Sequence, residues 1–348
     1  MAVIQKNWVW IIVFLAVGLF GWAIFTPKES IESKIQKTLE QQKDRADLSL
    51  KDVTFSESFG GTKFWELDAK TAVLNQDRGG AELNTVKGRF YKNNSPVLFF
   101  IAPKVQWNLS QKEISIDHPF GYDTRTEKYF NELMQQIDPQ SDPAKLFRLA
   151  SQFSGKVRGY WFLANHLKWQ LSTQKLDTRD GVLFNQGAFT VFAQNLNSDV
   201  GFDPLSLTGN PTALYIQKTP HSPVPKITTT TAREFLINSA KNEISAVNDV
   251  VLLQKEMEIR SQRAAYLPEN QLIVLTGAVK LSFKDIRAAC QKASYNPADE
   301  TIILEGSATA QRDRNLLRGE KIAIDLKSGK INVLGKTKIV IDEREIKK

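Results

Sequence analysis

Two stretches, "AAYLPENQLIVLTGAV" (Ala264–Val279) and "KASYNPADETIILEGSA" (Lys292–Ala308), run in the same order: aromatic residue, proline, acidic turn, apolar strand, glycine. Gly277, Gly306 and Gly335 recur at intervals of 29 residues, and one interval earlier stands Asn248 in "NEISAVNDVVLL". Asn tolerates positive φ better than other non-glycine residues, so that copy keeps its backbone character. Eleven residues before each of these positions lies an apolar or aromatic residue: Ile237, Tyr266, Tyr295 and Ile324. A polar turn follows each of them. A repeat of this period, made of strands and turns, predicts a stacked β architecture, because one hairpin cannot bury its own apolar face and stacked copies can.

The phase of the side chains agrees. Every second residue around the glycine positions is apolar: Ile273, Leu275, Val279 and Leu281; Ile302 and Leu304; Ile331, Val333 and Ile339. The opposite parity is mixed, with Thr276, Lys280, Glu305 and Ser307. Strand side chains alternate faces, so one face of the stack is greasy and the other largely wet. The glycines mark sharp bends. In the earlier half the same template places His118 and Gly187 at the glycine position, 11 residues after Trp107 and Leu176. Periodicity by itself leaves two readings of the greasy face open, a dry core or a groove that holds lipid. No long helix follows in the final unit to cover it, and the last strand ends beside the charged tail "DEREIKK".

The rest of the chain sorts by pattern. Asn7–Thr26 runs for 20 residues without a charge, with Trp8, Trp10 and Trp22 near its ends. At ~1.5 Å per residue it makes about 30 Å of helix, the thickness of a hydrocarbon core. Lys6 and the terminal amine precede it, which favours a cytoplasmic N-terminus. No A-x-A site follows before Pro27, so an uncleaved single-pass anchor is expected in place of a signal peptide. Ile31, Ile35 and Leu39 then show helical spacing, as a stalk or a solvated linker would. Short strands with turn residues run from Lys51, interrupted by helical patterns near 126–155, and "KTPHSPVPK" reads as an extended connector.

Composition narrows the chemistry. The net charge of +8 fits work beside anionic surfaces, but dense Lys/Arg blocks of a nucleic-acid binder are missing. One cysteine, Cys290, excludes a disulfide framework and any multi-cysteine metal site. His118, His166 and His221 lie far apart, and no phosphate-loop, dinucleotide or nucleophile-elbow motif occurs. No catalytic residue, metal site or cofactor is expected. Lys280, Lys284, Arg287, Arg312 and Arg314 could meet lipid phosphates or simply water.

Two further segments carry a resemblance. "FWELDAKTAVLNQDRGGAELNTVKGRFY" and "SPVLFFIAPKVQWNLSQKEISI" set Trp65, Leu67, Ala69 and Ala72 before Val86, Gly88, Phe90 and Tyr91, then Ala102 and Pro103. With the preceding apolar segment, this resembles the inner-membrane-anchored LptC type of lipopolysaccharide-transport bridge proteins. The two opening stretches resemble the periplasmic LptA/OstA type. The resemblance implies an all-β chain of stacked β-jellyroll (β-taco) units after one N-terminal transmembrane helix. Its units would be a transmembrane anchor at 1–27, a stalk or linker at 28–50, an LptC-like jellyroll at 51–125 and a helical insertion at 126–158. A further β-strand unit at 159–217, a Pro-rich connector at 218–226 and an LptA/OstA-like jellyroll at 227–348 would complete it. One chain carrying both types departs from the family's usual habit, as does the helical insertion.

The implied function is an inner-membrane-anchored, non-enzymatic bridge with its bulk in the periplasm, carrying lipopolysaccharide to the outer membrane. Its partners would be the lipid A acyl chains, an inner-membrane ABC transporter complex, and an outer-membrane translocon or further bridge protein joined by edge-strand addition. Expected groove residues are Ile273, Leu275, Val279, Leu281, Phe283, Ile302, Leu304, Ile331, Val333 and Ile339, with Val86, Phe90, Trp107, Ile114 and Ile116 in the first unit. The alternatives are an envelope β-solenoid enzyme acting on polysaccharide, or a phospholipid carrier of the same shape.

Overall fold

The computed structural model describes residues 48–75, 79–127, 142–152, 159–217, 225–238, 241, 243–267 and 271–340. The expected anchor and most of the stalk lie outside them. Among the described residues no helix is long and apolar enough to cross a membrane. Among the described residues the fold is nearly all β, with 23 strands in one connected antiparallel sheet.

The first strands are long: β1 (Leu48–Phe59), β2 (Thr62–Asn75), β3 (Gly80–Lys92) and β4 (Ser95–Asn108). Short ones follow: β5 (Glu113–Asp117), β6 (Phe120–Asp123), β7 (Tyr160–Ala164), β8 (His166–Gln170), β9 (Lys175–Thr178), β10 (Val182–Gln186), β11 (Phe189–Ala193) and β12 (Asn195–Asp199). Then come β13 (Leu205–Thr208), β14 (Thr212–Gln217), β15 (Lys226–Thr231) and β16 (Glu234–Asn238). Long strands return with β17 (Glu243–Gln254), β18 (Met257–Leu267), β19 (Leu272–Phe283), β20 (Ile286–Asn296), β21 (Thr301–Arg312), β22 (Asn315–Asp325) and β23 (Ile331–Val340).

The pairings resolve this order into two stacked layers. One half of β4 pairs β5, and the layer continues through β8, β9, β12, β13 and β16 to one half of β17. The other half of β4 pairs β6, and the second layer continues through β7, β10, β11, β14 and β15 to the other half of β17. Each long strand bends once and so belongs to both layers. Two consecutive short strands do the work of one bent strand. Residues 159–217 therefore supply rungs to the same stack as the segments on either side. At ~4.8 Å per rung the described prism is on the order of 80 Å long.

The bends follow from backbone chemistry. Asn248, Gly277, Gly306 and Gly335 have φ of 63°, 83°, 78° and 85°, and the next residues Asp249, Ala278 and Ser307 are also left-handed. The register skips at these places, for example between Thr276 and Val279, so two residues leave the ladder and the strand turns. His118 (φ 47°) occupies the bend between β5 and β6, as the template places it. Gly187 does not. It sits in the hairpin turn joining β10 to β11, and the bend of that copy falls at Gly181 (φ 106°) between β9 and β10. Both positions need positive φ, and the spacing rule cannot distinguish a bend from a turn.

The helical interruption contributes α1 (Pro143–Ser151), capped by the Asp142 carboxylate, which accepts from the Ala144 amide at 2.9 Å. It lays Leu146 and Ala150 over Phe99, Ile101, Phe120, Tyr122 and Trp161 on the outside of the second layer. That small cluster is separate from the main core between the layers.

Candidate functional site: the apolar interior

The main core is one cluster running from Phe55 to Leu326. It gathers residues that sequence reading assigned to separate units. Ile273, Leu275, Val279, Leu281, Phe283, Ile302 and Leu304 are buried there, as are Val86, Phe90, Trp107, Ile114 and Ile116. Ile331 and Val333, on the terminal strand, are partly buried and pack against it. Ile339 is in register with Leu317, and its side chain lies outside the described residues. Clefts of about 420 and 340 Å³ are lined chiefly by outward-facing residues, the first by Arg260, Lys280 and Arg287, the second by Phe147, Leu163 and Phe192.

The composition of this interior changes along the prism. Up to about residue 215, aromatic rings bridge the layers. Trp65 meets Trp107 at 5.2 Å between ring centres, Phe90 meets Trp169 at 5.4 Å, and Tyr160 meets Phe202 at 5.0 Å. Phe189 of the second layer meets Tyr266 of the first at 4.4 Å. Among the described residues the ring contacts between layers end there. Beyond Tyr266 the two layers meet mostly through Ile, Leu, Val and alanines such as Ala288, Ala308 and Ala310, with Phe283 and Tyr295 as isolated rings.

The layers join along the bends on one side. On the other side the hairpin turns of both layers face each other across a seam, which is tied by side chains. Lys92 reaches Asp199 at 2.8 Å. Lys226 pairs with Glu300, the Tyr295 hydroxyl donates to Gln254 Oε1, and the Arg312 guanidinium donates to the Gly329 carbonyl. Burial pushes the Tyr266 and Tyr295 phenols well above the usual tyrosine range, and the neighbouring Tyr215 and Glu300 respectively add to it. These phenols are neutral hydrogen-bonding groups at any physiological pH.

Sequence reasoning did not find the seam. Tyr295 was visible as a repeated aromatic, but its bond to Gln254 joins residues 41 apart and follows no period. Phe202 lies in a loop with no pattern at all. The outer cluster beneath α1 did leave a signal. "VLFFIA" (Val97–Ala102) is apolar on both parities, which requires cover on both faces.

Among the described residues no group of three His, Cys, Asp or Glu side chains could hold a metal ion. His166 Nδ1 lies 2.9 Å from Asp117 Oδ1 at the surface, and His118 sits on a bend. Cys290 is buried and donates to the Lys292 carbonyl at 3.1 Å, and burial raises its thiol pKa. The basic residues singled out by sequence are in part already engaged: Arg312 pairs with Asp285 at 3.0 Å, and Arg287 donates to the Lys284 carbonyl at 2.8 Å.

Comparison with known proteins bears on the C-terminal half. Residues 229–330 match the family model described as LptA/(LptD N-terminal domain) LPS transport protein. Among solved structures, one similar chain is LptH of Pseudomonas aeruginosa, the LptA homologous periplasmic component of the conserved lipopolysaccharide transport device. The match is 15% identical, covers 33% of this chain and 94% of that one, and has a TM-score of 0.31. No curated protein matches. From β15 through the turn after β22, then, the chain carries a part of the LptA/(LptD N-terminal domain) kind.

Proposed function

We propose that this protein is a periplasmic bridge for lipopolysaccharide, anchored in the inner membrane by the apolar segment 7–26, with an LptC-like first part fused to the LptA-like last part. The observation that carries the reading is one apolar interior shared by both parts, inside a stack whose first and last strands each keep an unpaired edge among the described residues. β1 pairs only with β2, and β23 only with β22, among the described residues. Unpaired strand edges take another strand. The β1 end would face an inner-membrane ABC transporter complex, and the β23 end a further bridge protein or an outer-membrane translocon.

The physical need is plain. Burying one acyl chain of about 14 carbons is worth roughly 10 kcal/mol at ~0.8 kcal/mol per CH₂. A lipid with several such chains does not cross water unaided. Inside the prism, contacts between the layers are replaced by contacts with the guest, at little net cost in transfer free energy. The protein needs no chemical step for this, and the energy for direction comes from elsewhere.

The test is photocrosslinking in cells, with a photoreactive residue at Leu275, Val279 or Leu304. Lipopolysaccharide adducts at all three are expected. Adducts with phospholipid alone would make the protein a phospholipid carrier, and adducts with neither would remove the transport role.

A further inference from the structure

We propose that guest chains are admitted only to the C-terminal part of the interior, through a port in the seam latched by Tyr295 and Gln254. The inference rests on the reading of the interior as lipid-holding, and it departs from a uniform groove. Ahead of Tyr266 the layers are pinned by large flat side chains. Trp65, Phe90, Tyr160, Phe162 and Phe202 are buried to 2% exposure or less. Such rings have few rotamers and fill their space as a unit, so parting the layers there exposes several of them together. Loop residue Phe202 crosses the seam into Tyr160, Phe162 and Phe184, and the Lys92–Asp199 ion pair closes over it. That length of the prism is a pillar.

From β19 to β22 the interior is mostly aliphatic and alanine-rich; its rings among the described residues are Phe283 and Tyr295, which make no ring contact with each other, and Tyr295 is the one among the largest fully buried side chains there. Leu and Ile change rotamer individually, and an unbranched alkyl chain reproduces the contacts they lose. The closure here is a short set of polar ties. Lys226–Glu300, Tyr295–Gln254 and Arg312–Gly329 follow one another along the seam. Tyr295 and Gln254 are the two whose bond is buried, so parting them leaves a donor and an acceptor that need new partners. A ligand with an alkyl tail and an oxygen-bearing head supplies both: the tail fills the aliphatic gap, and an ester or amide carbonyl accepts from the Tyr295 hydroxyl. The favoured guest is therefore a single acyl chain with its linkage at the seam.

The experiment uses the full chain in membrane vesicles, irradiated with tetradecanoic acid carrying a terminal diazirine, and maps the labelled peptides. Label within 243–340 and none within 48–217 is expected. Gln254→Leu removes the latch and leaves the Tyr295 hydroxyl to the guest, so it should raise that label about 5-fold, the equilibrium worth of one net hydrogen bond. Tyr295→Phe removes the latch and the guest's donor together, and should leave the label near the unsubstituted level. Label shared evenly by both regions overturns the partition, and label unchanged in Gln254→Leu overturns the latch. Competition by purified lipopolysaccharide and by phosphatidylethanolamine separates this from the proposed function. If label follows the expected map but lipopolysaccharide does not displace it, the port stands and the cargo assignment falls.

Discussion

Replacing Phe202 by alanine should loosen the middle of the prism and nothing else. Phe202 is fully buried and meets Tyr160, Phe162 and Phe184 at centroid distances of 5.0, 5.3 and 6.2 Å. Truncating a buried Phe costs about 3–5 kcal/mol, made of lost transfer energy and the residual cavity. The three rings around it are held on two paired strands of the second layer, Tyr160 and Phe162 on β7 and Phe184 on β10, and cannot all collapse inward, so a loss of about 4 kcal/mol is expected. In a stack where each rung touches mainly its neighbours, that loss stays local. Native-state hydrogen exchange by mass spectrometry is the assay. Amides of β7, β10 and β12 that exchange through local opening should speed up by about a thousand-fold, while those of β19–β22 keep their rates. A change below about 1 kcal/mol would refute Phe202 as the plug of the seam. Acceleration spread evenly to β22 would refute the local character of the stack.

Three more expectations follow from single sites. A Cβ on Gly88 would lie 2.1 Å from the Phe100 ring, which is itself buried, so Gly88→Val should cost about 2 kcal/mol or more in urea denaturation; an unchanged midpoint would contradict the packing. Burial holds Tyr122 up to about 12 and Tyr160, Tyr266 and Tyr295 higher than usual, so phenolate absorbance on alkaline titration should show these tyrosines ionising only as the fold is lost. Their neutral form is favoured in the folded state. That stabilisation is intact below the ordinary value of 10.0 and disappears as pH rises through the raised values. Glu66 behaves in the opposite sense. Its bond to Lys63, with help from Arg89, lowers its pKa from 4.5, so its contribution is present above that value and is lost as pH falls through the lowered one. Glu66→Gln should flatten the acid limb of the stability profile, and an identical acid limb would show that the pair contributes nothing.

Sequence by itself determined the rung. Alternation of Ile273, Leu275, Val279 and Leu281 against Thr276 and Lys280 fixed which face is buried, because a strand offers only two faces. The 29-residue return of glycine, with Asn248 and His118 as substitutes, located the bends at 118, 248, 277, 306 and 335, because left-handed backbone is a local demand that few residues meet. Only the tertiary structure decided how the rungs combine. That 159–217 continues the same two layers depends on pairings between strands four to six residues long, each too short to carry a period of its own. That Gly187 serves a hairpin and Gly181 the bend depends on which partners the flanking strands find. The ties across the seam join residues 17 to 107 apart, and α1 covers rings contributed by three other strands. Burial and backbone angle are properties of one residue in its strand and are written locally. Closure is a property of two layers meeting, and it comes into being only when distant turns are brought face to face.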